Sequence, residues 1–393
     1  MQRRSFLITL GSISLGGLTG CQDRDTLRVL ALKNSLPPQL SKEFTKSIVA
    51  STPKVEVAPA AQFKDILTQL QEWDKTGQAE AKGLKVPLVP AAKSPAYIPD
   101  LVSMGDAWLP QAIQSKLIQP IEVKNIPSWG KLESRWHELA QRDDRGNSSA
   151  KGQIWGVPYR WGTTVIIYRR DKLAAAKIPI PQDWADLWNP QLSQRISLLD
   201  RSREVIGLTL KKLGYSYNQA DLSQINNLRS ELEKLDRQVK FYSAETYLQP
   251  LIMGDTWVAV GWSSDAINLV KKNPNLGAIV PRSGTAISAD LWVQPTVKSN
   301  SDRSTRSTLA AQWLDYCLQP KVSSQISIFT AGAAPLFTNM KPSKIIADIR
   351  QDVLTLPPKT IIDKSNFIYP LSPTSQSQYD RLWHEITRSK SAS

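Results

Sequence analysis

Residues 155–168, WGVPYRWGTTVIIY, decide how the rest of the chain is organised. Gly156, Pro158 and the aromatic residues around them suit a turn or a sheet edge, whereas Thr163, Thr164, Val165, Ile166, Ile167 and Tyr168 have the β-branched and aromatic character of a buried strand. Two readings fit. In one, a strand crosses between two lobes with a hinge near residues 159–162; in the other, an ordinary core strand carries a bulge at Gly162. The flanking sequence separates them.

Upstream, residues 26–32 read as a first strand, 37–44 as a turn leading into a helix, and 55–58 as a second strand. Phe63, Ile66, Leu67, Leu70 and Trp73 recur at helical spacing and define one buried face. Residues 74–99 lack that periodicity and read as an exposed insertion. A strand at 100–104 follows, with Asp106 placed to cap a helix that bears Trp108, Ile113 and Leu117. This alternation predicts a mainly parallel α/β sheet. The pattern restarts after Tyr168, with a short aromatic helix at 184–190, a strand at 196–199 and a helix at 202–213. Leu222, Ile225, Leu228, Leu232 and Leu235 predict an amphipathic helix. A strand at 258–262 leads into a helix at 263–272, and short strands are predicted at 278–281 and 291–294. Helices are expected at 309–318, 322–329, 345–354 and 379–386.

The first residues read as an export signal. Arg3 and Arg4 precede an uncharged, largely apolar run that ends in LTGC at Cys21. RRSFL resembles a twin-arginine signal, and LTGC a lipobox whose cleavage leaves Cys21 to carry lipid, so a periplasmic, membrane-anchored lipoprotein is expected by either the twin-arginine or the general secretory route. The run is short for a membrane-spanning anchor. Loss of residues 1–20 takes the formal charge from +14 to +12. Acids and bases are interspersed, which together with export argues against a nucleic-acid partner. Cys317 is the one other cysteine, so no disulfide within the mature chain is expected.

A search for chemistry returns no catalytic constellation. His137 and His384 form no HExxH, no cysteine pair has zinc spacing, GWSSD at 261–265 is not a nucleophile elbow, and no glycine-rich phosphate loop occurs. No metal or cofactor is expected. Trp262 stands out because it ends an apolar strand, where open α/β sheets place ligands. A cation held there gains attraction from the indole and needs a carboxylate nearby.

Six stretches then fall into one order: DLV at 100–102, GVPYRWGTTVIIY at 156–168, WADLWNP at 184–190, REVIGLTLKKLGYS at 203–216, VAVGW at 258–262 and DLWVQP at 290–295. In order and spacing they resemble the extracytoplasmic polyamine-binding proteins, of the spermidine and putrescine type, that feed ABC importers. The resemblance implies an α/β, bilobal periplasmic-binding-protein fold of type II with discontinuous lobes. These would be 27–158 plus 290–334, and 163–289 plus 335–386, with a tether at 21–26 and a tail at 387–393. It further implies a monomer that partners an ABC permease and ATPase, takes a small amine ligand between its lobes, and has no catalysis of its own.

Residue by residue, the resemblance makes Glu204 the carboxylate for a ligand amine, Asp290 a second one, Trp262 an aromatic wall and Ser243 a polar site position. The outer cage departs from the pattern. An acidic family position is Arg201 here, a family tryptophan is Ser288, and aromatic positions fall at Leu32, Ser35 and Ala107, with Trp108 one residue away. Asp106, Ser35 and Trp161 complete the candidate set. One expectation is therefore a zwitterionic, amino-acid-like ligand, its ammonium at Glu204 and Asp290 and its carboxylate at Arg201; the other places Arg201 in solvent or against Asp200. A sensory or interaction protein on the same fold is the alternative to transport, and a secreted hydrolase a weaker third.

Overall fold

The computed structural model describes residues 26–48, 53–76, 98–296 and 304–391. The export signal, Cys21 and most of the 74–99 insertion lie outside these residues. Among the described residues, nine strands of three residues or more carry the architecture: β1 Thr26–Leu32, β2 Lys54–Ala60, β3 Leu101–Gly105, β4 Val157–Arg169, β5 Ile196–Leu198, β6 Val239–Tyr242, β7 Val258–Trp262, β8 Leu276–Ile279 and β9 Ala286–Pro295. They form one continuous sheet in the order β2-β1-β3-β9-β4-β7-β5-β6, with β8 also paired to β4.

The outer strands are parallel, as the alternating pattern predicts: β1 with β2 and β3, and β5 with β7 and β6. The two central strands are not. β9 runs antiparallel to β3 and β4, and β4 antiparallel to β7 and β8, so the sheet is mixed rather than mainly parallel. These long strands leave one parallel group and enter the other, and each pairs on arrival with strands running the opposite way.

β4 resolves the two readings of residues 155–168 in favour of a crossing. Residues 157–163 pair with β9, whereas 164–168 pair with β7. The change of partner is matched by a change of core. Val157, Tyr159 and Trp161 belong to an apolar cluster that also holds Leu27, Val102, Leu291 and Trp313. Farther along, Ile166 and Tyr168 pack with Trp184, Val205 and Ile206, while Val165 and Ile167 pack with Tyr247, Ala259 and Ile267. Helices cover both faces of this second half of β4, which is why its sequence is a continuous apolar run rather than an alternation. A further crossing follows the helix Pro320–Thr330, where Ala331 (φ 52°) lies in the cluster of Val165 and Ala333 in the first core. Residues 335–386, assigned by sequence to one lobe, divide: Leu336, Ile362 and Phe367 pack in the first core, Tyr379 and Ile386 in the second.

Several local expectations are corrected. The helix through Leu222–Leu235 is a 3-10 turn, Leu222–Gln224, followed by a helix Leu228–Gln238. The helix expected at 345–354 shrinks to Ala347–Arg350, and the short strand at 291–294 is part of ten-residue β9. The last helix, Pro373–Ser391, runs on through most of the expected tail. Among the described residues no helix is long and apolar enough to cross a membrane.

Gly261 in β7 is required by packing. A Cβ there would overlap the Tyr247 ring, whose hydroxyl donates to Asp265 Oδ2 (2.7 Å) and accepts the Trp262 amide N–H (3.2 Å). Gly261→Ala is therefore expected to cost about 1–3 kcal/mol through overpacking, read as a lower urea midpoint. An unchanged midpoint would show that Tyr247 is free to move aside.

Candidate functional site

The crossing strand sets the floor of the site. Its period-two alternation puts Arg160, Gly162 and Thr164 on one face and Trp161 and Thr163 on the other. Register then brings Asp290 opposite Arg160, Ser288 opposite Gly162, and Trp262 opposite Thr164. Ser288 is exposed, and Arg160, Gly162, Asp290 and Trp262 are half-buried, although all lie on strands at the centre of the sheet. Solvent therefore reaches this face between the two cores, and its polar residues form the candidate floor of a ligand cleft.

At one end of the floor stands Glu204, in the first turn of the helix Ser202–Lys212 that follows β5. Its side chain is 8% exposed and accepts a hydrogen bond from Thr164 Oγ1 at 3.1 Å. Burial pushes its carboxyl up to about 7, against the pull of the Thr164 hydroxyl and the Arg201 and Arg203 charges. The Arg203 guanidinium turns away to the Tyr369 carbonyl and Asn218. Arg201, the residue before the helix, lies with its guanidinium 5.5 Å from the centre of the Trp262 ring, a cation–π contact. Tyr247 braces the same indole edge to face, with ring centres 5.7 Å apart.

The other end is an ion pair. Arg160 Nε donates to Asp290 Oδ2 at 2.5 Å, with side chains 17% and 14% exposed. Burial raises the Asp290 carboxyl above its ordinary range and Arg160 draws it back. Asp106 sits alongside, because Asp290 is paired with Gly105 across β3 and β9. Its carboxylate accepts the Ala289 amide N–H at 3.2 Å, and burial lifts it to about 7. Asp106 is thus not the helix cap expected from sequence: Gly105 holds that position, over a 3-10 turn Asp106–Trp108, and the acid reaches across to β9. Four residues of β4 separate the ends, about 13 Å along the strand.

The candidates thus fall into two sets. Glu204, Trp262, Arg201, Asp290 and Asp106 converge on the floor or its ends. Trp161 does not line the cleft: alternation turns it into the first core, 2% exposed, against Trp136. Ser35 is fully buried, beside the Tyr159 phenol, which also shares a hydrogen bond with Ser103 (2.9 Å). Trp108 packs half-buried on the first core, and the Ser243 hydroxyl accepts the Glu245 and Thr246 amides, closing a turn after β6. Arg201 is exposed, as the second of its two expectations has it, and from there its guanidinium also lies over the Trp262 ring. Arg160 and Thr164 also reach this floor, and sequence reading missed them; their spacing of four residues along an alternating strand was the available signal.

A family model described as bacterial extracellular solute-binding protein matches residues 96–346. The putrescine-binding periplasmic protein PotF of Escherichia coli (strain K12) is 26% identical over 308 residues, covering 74% of this chain and 79% of that protein. The spermidine/putrescine-binding periplasmic protein of Salmonella typhimurium (strain LT2) is 23% identical over 381 residues, covering 96% and 97%. In fold, the chain is similar to the spermidine/putrescine ABC transporter substrate-binding protein PotD from Streptococcus pneumoniae, with a TM-score of 0.74 at 20% identity over 93% of this chain and 99% of that one.

Proposed function

The chain belongs to the bacterial extracellular solute-binding protein family, and on that premise we propose that it is the capture subunit of an ABC importer for a small amine-bearing solute. Putrescine and spermidine, the ligands named for its relatives, are the first to test. The observation that carries this reading is Glu204, a buried carboxylate whose hydrogen-bond partner is the hydroxyl of Thr164, the residue that Trp262 faces across the sheet. An ammonium supplies the charge that this acid lacks and gains from the aromatic face. The two lobes, one built on each of the cores that β4 joins and with residues 335–386 divided between them, close over the solute about a hinge in β4 near 159–162. Lipid on Cys21 holds the protein at the membrane as a monomer that delivers solute to a permease driven by an ATPase.

Thermal unfolding of the mature protein with putrescine, spermidine, monoamines and amino acids tests this. A ligand at a hundred times its Kd stabilises the folded state by about 2.7 kcal/mol, a clear upward shift in Tm. Absence of a shift with every amine in the series would overturn the reading.

A further inference from the structure

Two of the three features of the cleft that attract an ammonium are already engaged by cations of the chain itself. Arg160 is bonded to Asp290 through Nε, and Arg201 lies over the Trp262 ring. Glu204 differs from Asp290: its bonded partner is the Thr164 hydroxyl, and it makes no ion pair among the described residues. A second ammonium at Asp290 would have to share that carboxylate with Arg160 or displace it, and displacement would leave a half-buried guanidinium without its counterion. Its approach would also meet like charge across a floor only a few residues long. A carboxylate at the same end meets the opposite situation, since a guanidinium presents several donors in a plane and can serve two acids at once.

We infer that Arg160 is the specificity-determining residue of the cleft, and that the preferred solute carries one ammonium, held by Glu204, and a carboxylate at its far end facing Arg160. This rests on the reading of the cleft as the solute site and narrows the amines it takes. Arg201 keeps the outer face of Trp262 covered, so the ammonium is recognised from the Glu204 side.

Titration calorimetry with putrescine and with 4-aminobutyrate, which replaces one terminal aminomethyl group of the diamine by a carboxylate, tests the inference on the mature protein. The wild type is expected to bind 4-aminobutyrate about tenfold or more tightly than putrescine, and Arg160→Met to reverse that order by freeing Asp290. Arg160→Lys, which keeps the charge, should retain the wild-type order. A wild type that prefers putrescine, or that binds neither probe, overturns the inference without recourse to a variant. So does an Arg160→Met protein, folded by circular dichroism, with the wild-type ratio. Glu204→Gln separates the two levels of the argument. If it abolishes binding while Arg160→Met leaves the ratio unchanged, the inference falls and the cleft stands; if it leaves binding of both probes intact, the cleft reading itself falls.

Discussion

Glu204→Gln is expected to weaken binding of an ammonium-bearing solute by about 2–5 kcal/mol, the range for removing one partner of a buried, hydrogen-bonded charge pair. The glutamine amide has nearly the shape of the carboxylate, and its oxygen can still accept from Thr164 Oγ1, so the loss isolates the charge. Stability should move the other way. In the empty protein Glu204 holds its charge at a site 8% exposed without an ion pair, and an uncharged amide avoids that desolvation. Calorimetry should therefore show weaker binding in a protein whose urea midpoint at pH 8 is unchanged or higher. A variant that lost stability and kept affinity would make Glu204 a structural acid and remove it from the site. The expected pattern is that of a binding residue kept at the expense of the fold.

Affinity for the same solute should fall as pH drops below 7, approaching tenfold per pH unit, with close to one proton released for each ligand bound. The cause is the Glu204 carboxyl, which burial lifts to about 7 in the empty cleft. An ammonium stabilises its ionised form, so binding must first expel the proton. Folding follows the opposite course. A carboxyl whose folded value is raised contributes stability that is fully present below its unfolded value, near 4.5, and lost as pH rises through about 7. For Glu204 this amounts to on the order of 3 kcal/mol. Asp106, raised from 3.8 to about 7 by burial, acts in the same direction over a similar window. Empty protein should thus lose stability between pH 5 and pH 8, and saturating solute should restore it. Calorimetry in buffers of different ionisation enthalpy reads the proton release directly; affinity that stayed flat from pH 5 to pH 8 would mean that Glu204 is already ionised in the empty protein. Glu204→Gln should abolish most of the dependence of binding and leave the Asp106 share of the stability change.

The pairing of acids with arginines explains why the site was harder to read than the fold. Trp262 was visible at the end of VAVGW, where open α/β sheets place ligands, whereas Glu204 was named only through the family resemblance that REV helps to carry. Asp290 was visible as an acid, but its partner lies 130 residues earlier in the chain, and only the register of β4 on β9 joins them. Asp106 looked like a helix cap for the same reason: a short-range role fits any acid before a helix, whereas its bond to the Ala289 amide exists only once β3 and β9 are side by side. Trp161 shows the converse. It lies in the crossing stretch next to Arg160, and a shift of one residue along a strand exchanges cleft for core.

Much about this protein was determined by sequence alone. Strand β7 and the helix Ser263–Lys272 begin and end where the apolar pattern predicts, and the run from Thr163 to Tyr168 already required burial on both faces. These are short-range properties: hydrophobic periodicity, turn chemistry and propensity act within a few residues, so they can be read one segment at a time. The antiparallel course of the central strands, the division of residues 335–386 between two cores, and the engagement of Asp290 and Trp262 by the chain's own arginines were decided by tertiary structure. Each depends on which distant strands become neighbours and in what register, and a charge has no fixed partner until that is settled. The charge balance across the floor is therefore a property of the assembled sheet.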